Sequence, residues 1–328
     1  VLTNAALILL GKSEILEKYL PQARIMIEYR INEGQIHFDK REVIREPVLL
    51  AIETVWNFID SYNGEIPIRE NAMITRVPFF NKKVIREALL NAIAHRNYAM
   101  NGEIIIKLFP QKIIFSNPGG FPPGVTLDNL IKVISTPRSA LLTEVLLRTG
   151  YVERSGQGVD MIFSQQLSEG KPEPDYSDSD YYQVSLELSG KIESEPFFLF
   201  MRELSQQRRE NSRRQLSAFD IITLNNIRLG KQTGIDPKVL DTLLQEGLIK
   251  KIGPSNSNRF TLSDAYFTYE KSILGDIGGY SQLHIEKVAS LLSKNDSCKI
   301  SDFTNALEGS LTRKQVRTLV NRLIDIAI

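Results

Sequence analysis

The sequence is short of several things at once, and each shortage closes a route. It holds one cysteine, Cys298, in 328 residues, so neither an internal disulfide nor a thiolate metal cluster is available to it. Its three histidines, His37, His95 and His284, are scattered along the chain, which argues against a His-rich metal site. No apolar run approaches the ~18 residues of a membrane-spanning helix, so no membrane partner is expected. The formal net charge is only +1, and any nucleic-acid surface must therefore be local. A Gly-x-x-x-x-Gly-Lys-Ser/Thr phosphate loop is missing, which counts against a helicase-type motor. The acidic stretch from Asp175 to Asp180 lacks the spacing and terminal Glu of a calcium loop. The chain opens without Met, and its apolar first residues carry neither a basic leader nor a processing site. The expectation is a piece of a longer cytoplasmic protein.

What is present is ordinary material for a packed core, with 42% hydrophobic and 24% charged residues, in the usual range for a soluble domain. Length alone allows two or three domains. Alternation predicts strands near 23–31, 66–77, 103–109, 112–116 and 181–188. Apolar residues at helical spacing predict helices over 42–62, 79–99, 127–134 and 139–149, and from Gly158 onward. A Gly/Pro-rich loop fills 117–124. The resulting class is α+β, with helices grouped against a mixed sheet.

The helix around 84–98 carries Glu87, Asn91 and His95 four residues apart, hence on one face. The Asn oxygen is a hard, neutral ligand suited to Mg²⁺, whose remaining coordination comes from phosphate and water. The Glu can orient or deprotonate a water for attack on a terminal phosphate. By itself this spacing also fits a solvated polar stripe. Downstream context adds weight. Ser116-Asn117-Pro118-Gly119-Gly120 falls at a strand end, where glycine allows close backbone approach. Glu153-Arg154-Ser155-Gly156-Gln157-Gly158 leads into a helix, where backbone N–H groups and the positive dipole end suit phosphate.

That ordered set resembles the Bergerat-type ATPase fold of the GHKL group, shared by gyrase, histidine kinases and MutL. With Pro137-Arg138 and Gly150-Tyr151-Val152-Glu153 included, it is similar to ATP-binding transcriptional regulators often labelled helicase-related. In those proteins an AlbA/Schlafen-like DNA-binding domain leads, and residues 3–12 resemble the tail of such a domain. The resemblance covers roughly 1–190. It implies Glu87 as the water-activating base, Asn91 as the Mg²⁺ ligand and Asn117 on the adenine side. It also implies Gly119 for close approach to the nucleotide, Gly156 and Gly158 around phosphate, and a lid over 121–155. His95, Gly120 and Arg138 complete the candidate nucleotide contacts. Two positions depart from the pattern: Asn117 stands where the wider group has Asp, and Asn97 where the nearer regulators have Asp. ATP with Mg²⁺ is the implied cofactor, and turnover is left open.

Beyond about residue 195 the composition shifts. Eleven basic residues stand against six acidic ones over 201–262, with Arg208, Arg209, Arg213 and Arg214 read as one polar helix. Residues 215–262 read as a winged helix. Asp236-Pro237 is a helix start, with an N-cap followed by Pro at the first position. Gly247 closes that helix, and 248–252 and 259–262 form the wing. Lys231, Lys238, Lys250, Lys251 and Arg259 are the phosphate candidates. A second helix–turn–helix module over 283–328 offers Arg313, Lys314 and Arg317. The expected domains are a leading tail (1–22), a GHKL-type domain (23–192), a winged helix (200–265) and a second such module (280–328). The expected protein is an ATP-binding transcriptional regulator acting on DNA as a homo-oligomer, with a dimer the expected form. The alternative is a DNA-binding or dimerisation scaffold whose ATPase-like domain has degenerated.

Overall fold

The computed structural model describes residues 3–70, 73–133, 137–151, 158–231, 233–252, 259–274, 288, 291, 298–307 and 311–327. The architecture is α+β. Five strands form one mixed sheet in the order β2-β1-β5-β6-β7. They are β1 (Ile25–Tyr29), β2 (Lys40–Ile44), β5 (Ile104–Phe109), β6 (Lys112–Pro118) and β7 (Gln183–Ser189). Only β1 and β5 run parallel; the other three pairings are antiparallel. A separate hairpin, β3 (Glu65–Glu70) and β4 (Met73–Pro78), stands outside that sheet.

The core lies between this sheet and the helices α3 (Val48–Asp60), α4 (Lys82–His95), α5 (Ala140–Arg148) and α6 (Gly158–Ser168). The inward strand positions Ile27, Ile106, Leu108 and Ile113 are sealed from solvent. Opposite them, α3 and α4 contribute Val55, Ile59, Ile85 and Leu89, at most 1–2% exposed. Each such burial contributes about 1.5–3 kcal/mol, which fixes the helices on the sheet. Asn81 starts α4 by accepting a hydrogen bond from Lys83 N at 3.0 Å, the usual service of an N-cap. The short helices α1 (Asn4–Leu10) and α2 (Ser13–Tyr19) precede the sheet.

Three expectations need correction. Residues 40–44 pair with β1 as a strand and are not the start of a helix. Pro47 stands directly before α3, and a residue ahead of proline is pushed out of the helical region. Residues 127–133 form turns instead of a helix. Here Asn129 accepts from Thr126 N and donates to Gly124 O, so its side chain satisfies the backbone in place of a helical ladder. The basic cluster 208–214 is not one helix: α7 (Glu195–Glu210) ends before Arg213, and Ser212 sits at φ 51°. Nor is α7 polar throughout, since Phe197, Phe198, Leu199, Phe200 and Met201 are buried.

Residues 1–266 form one compact unit. Within it, α8 (Ala218–Arg228), α9 (Pro237–Gln245) and the hairpin of β8 (Ile249–Ile252) and β9 (Arg259–Leu262) follow α7. Ser217 and Asp220 cap α8 reciprocally, and Asp236 with Pro237 opens α9. α10 (Asp264–Leu274) contributes Tyr266, which packs edge-on against Phe197 and Phe200. Residues 267–328 make a second unit. In it α11 (Ile300–Ala306) and α12 (Arg313–Ala327) close on a small core with Phe303, Leu307, Val316 and Leu319 at its centre.

Candidate functional site

The alternation of β6 buries Ile113, Phe115 and Asn117 on one side of the strand. Asn117 thus occupies an inward position that two apolar residues would predict to be apolar. It is 5% exposed, and its amide Nδ2 has no hydrogen-bond partner. On α4, Asn91 shares that condition: its Nδ2 is also buried and unpartnered. A buried donor without a partner costs about 1–3 kcal/mol, so two of them on one cavity require an explanation.

That cavity measures about 100 Å³ and is bounded by α4, β6, β7 and α6. Its walls are mainly apolar, with Ala88, Ala92, Phe115, Val159 and Leu186 among them. Its polar groups are Asn91, His95, Asn117 and Asp160, with Tyr176 alongside. An apolar cleft with a few convergent polar groups is the usual form of a small-molecule site.

Electrostatics sharpen the description. Burial pulls the His95 pKa down, and the Arg138 guanidinium adds to the shift, so the imidazole is held neutral. Burial pushes the Asp160 carboxyl up. The Tyr176 hydroxyl is driven upward by burial and, in smaller measure, by the Glu87 carboxylate. Arg138 donates to Gly120 O at 2.7 Å, which anchors it at the cavity rim.

The expected site residues fall into several groups. Asn91, His95, Asn117 and Gly120 all line the cavity. Glu87 lies beside it and meets Gly158: a Cβ on Gly158 would stand 2.8 Å from Glu87 Cδ and 3.4 Å from Asn91 Nδ2. The first residue of α6 therefore rests on the Glu87–Asn91 face of α4, and any side chain there would displace the Glu87 carboxylate. Gly119, at φ 96°, uses its freedom against its own chain, where a Cβ would come within 2.8 Å of Asn97 Cβ. Its N–H donates to Tyr182 O at 2.6 Å, and that of Gly120 donates to Tyr181 O at 3.1 Å. Those two amides are committed to the 181–182 backbone. Gly156 lies outside the described residues.

Arg96 belongs elsewhere. It is 1% exposed and donates to the carbonyls of Asn97, Met100 and Gly102, so it shapes the loop after α4. The side chain of Asn97 accepts from Ala99 N in that same loop. Sequence reasoning missed Asp160 and Tyr176. The signal for Asp160 was its place two residues into the helix that Gly158 opens.

The basic candidates divide by environment. Lys231, Lys238, Lys251 and Arg259 are exposed, as are Arg313, Lys314 and Arg317 on α12. Lys250 is paired with Asp264. Arg208, 3% exposed, is paired with Glu246, and Arg214 bridges Asp220 and Glu246. Part of the local positive charge is therefore committed to carboxylates of the protein itself.

Similarity to known proteins bears on one stretch in particular. The family described as "Putative ATP-dependent DNA helicase recG C-terminal" matches residues 101–187. This stretch holds Asn117, Gly120, Arg138, Gly158 and Asp160 and begins after α4. It makes this part of the chain ATPase-like. No curated protein matches. Among solved structures, the DIP2311 protein from Corynebacterium diphtheriae shares the fold, with a TM-score of 0.66 at 19% identity. The likeness covers 82% of this chain and 56% of that one, so the chain spans little more than half the length of that protein. Among the described residues no helix is long and apolar enough to cross a membrane.

Proposed function

We propose that the chain is an ATP-binding regulator of the Bergerat (GHKL) type that binds DNA through winged helices. The observation that carries this reading is the pair of buried, unpartnered amides, Asn91 Nδ2 and Asn117 Nδ2, facing one apolar cavity. A ligand with both an apolar ring and hydrogen-bonding edges would satisfy both amides and fill the cleft. In this reading Asn91 also offers its side-chain oxygen to Mg²⁺. The ion, once bound with a nucleotide, neutralises charge on the phosphates. One protein oxygen suffices, because Mg²⁺ keeps waters and takes the rest of its shell from phosphate. Glu87 orients the attacking water, and Gly158 keeps the start of α6 close to phosphate.

The same helix supplies the route to DNA. α6 packs against α4 at the site and against α8 at the head of the helix–helix–hairpin module. Asn225 of α8 donates to Glu173, just beyond α6, at 3.3 Å. A nucleotide that shifts the first turn of α6 therefore acts on an element in direct contact with α8. In this module α9 would enter the major groove, and the exposed basic residues would hold phosphates.

A second reading, a scaffold that binds without turnover, is favoured by Asn97, whose amide caps its own loop and supplies no carboxylate. Calorimetry with Mg²⁺-ATP tests the proposal. Binding by the native chain that Asn91→Ala and Asn117→Ala each weaken at least about tenfold supports it. No binding at millimolar ATP overturns it. Binding without phosphate release would favour the scaffold.

A further inference from the structure

Arg96 carries a buried charge with no carboxylate bonded to it. It is 1% exposed, yet its three hydrogen bonds go to backbone carbonyls, those of Asn97, Met100 and Gly102. Its Nε–H has no partner among the described residues. A fully buried arginine is ordinarily paired, because a charge taken out of water is costly unless an opposite charge answers it. The carbonyls, and the negative end of α4 that Arg96 caps, answer with partial charges only. Burial lowers the Arg96 pKa; Tyr98 and Glu103 oppose that shift, but Glu103 is itself bonded to Arg24.

Arg96 lines a second cavity, of about 20 Å³, which shares no lining residue with the cleft of Asn91 and Asn117. Ile8 of α1, Ile25 of β1, Val48 and Ala51 of α3 and Ile104 of β5 make its walls mainly apolar. Its other polar groups are engaged. Arg24 pairs with Glu103, the Tyr98 hydroxyl donates to Ile93 O at 3.2 Å, and Glu46 accepts from Thr54 Oγ1 at 2.7 Å. The space admits one water-sized species, for which roughly 10–15 Å³ suffices. A water would satisfy the N–H and leave the charge; a small monovalent anion answers both. We propose that this cavity is a site for a halide-sized anion, chloride, held by the Nε–H of Arg96. Chloride is close to water in size and accepts N–H groups from any direction, whereas phosphate and organic acids are too large for the space. The Glu46 carboxylate on the same wall works against an anion, so binding calls for chloride at high concentration. The ion would lock the loop that joins α4 to β5, whose Asn97 N–H donates to Pro118 O at 2.8 Å.

The test is thermal melting of the full chain in sodium chloride and in sodium gluconate at one ionic strength, which holds screening constant. The native melting temperature should rise with chloride and level off, by about 2–4 °C once the site is filled. Arg96→Met removes the charge at similar length and should lose the response. That variant also gives up three carbonyl contacts, so a second one keeps the test independent of its folding. Ala51→Val adds two methyl groups to the cavity wall, leaves Arg96 in place and should abolish the response as well. Diffraction from native crystals grown in sodium bromide should show an anomalous peak within hydrogen-bond reach of Arg96 Nε. A native protein that melts alike in both salts would overturn the proposal and leave at most a water against Arg96. So would a chloride response that Ala51→Val retains in full, which would assign it to ions on the surface.

Discussion

Gly158 and Glu87 are in contact so close that a single methyl group on the glycine would occupy the space of the Glu87 carboxylate, 2.8 Å from its Cδ. The obstacle is the end of a flexible side chain, so Gly158→Ala should fold. Glu87 must then swing away, while the methyl group stays 3.4 Å from Asn91 Nδ2, an ordinary contact. The expected outcome is nucleotide affinity within a few-fold of native and any phosphate release reduced about tenfold or more, the size of effect associated with one misplaced general base. Affinity and release falling together would show that Gly158 serves the phosphates directly, and unchanged release would remove Glu87 from the chemistry.

Lys171 and Glu169 form a sealed ion pair at 2.5 Å, with Lys171 Nζ also donating to the carbonyls of Pro78 and Phe79. Asn81 and Gln165 satisfy the rest of the Glu169 carboxylate. Burial lowers the Lys171 pKa, and Glu169 opposes that shift. This knot joins the end of α6 to the start of α4, the two helices that bound the cavity. Lys171→Met strands the carboxylate and two carbonyls, and should cost about 3–5 kcal/mol. Combining it with Glu169→Gln should cost less than the sum of the single changes, because the second removes the charge the first leaves behind. Urea unfolding of the three variants measures this. Strict additivity would mean that the two side chains do not act as a pair.

The parts of this protein legible in its sequence are those governed by local period. α4 announced itself through Val84, Ile85, Ala88, Leu89, Ala92 and Ile93, and the same period put Glu87, Asn91 and His95 on one face. β6 was legible as a strand over 112–116, but its continuation through Pro118, which turns Asn117 inward, appeared only in the fold. What was lost depended on partners far along the chain. The strand at 40–44 pairs with β1, and nothing within its five residues distinguishes it from the helix that follows. The amides of Gly119 and Gly120 meet Tyr182 and Tyr181, some sixty residues later, a pairing that no local pattern announces. The positive charge of Arg208 and Arg214 was visible, whereas its neutralisation by Glu246 and Asp220 required the fold. Asp160 was passed over because an acid in a helix's first turn is commonplace, favoured by the dipole whatever it faces.

His95 makes the site sensitive to acid. Burial, reinforced by Arg138, holds its pKa below the usual value, while in the unfolded chain a histidine titrates near 6.5. The unfolded state therefore binds more protons as the pH falls through that value, and stability declines until the folded pKa is reached. His95→Gln removes this proton uptake. Its melting temperature should fall less than that of the native protein between about pH 7.5 and about pH 5.5. The same fall in both would place the acid sensitivity elsewhere.

Salt dependence separates the two roles that the basic residues of 201–262 can play. Each phosphate contact releases counterions and adds about 0.9 to the slope of log affinity against log salt. Only residues that face solvent can make such contacts. Lys238 opens α9 and Arg259 lies on β9, and both side chains are exposed. Lys238→Ala and Arg259→Ala should each lower the slope by up to about one unit for a mixed-sequence duplex, and Lys238→Ala should leave the melting temperature almost unchanged. Arg208→Ala should do the reverse. Its guanidinium is buried, donates to Arg214 O at 2.6 Å and pairs with Glu246, so its loss leaves Glu246 to Arg214 alone and destabilises the fold without touching phosphate. Lys250, held by Asp264, should change the slope less than Lys238, because releasing it from a carboxylate offsets part of what the phosphate returns. If the slopes of Lys238→Ala and Arg259→Ala match that of the native chain, this face does not meet DNA. The helix–helix–hairpin module would then be a surface for protein contacts.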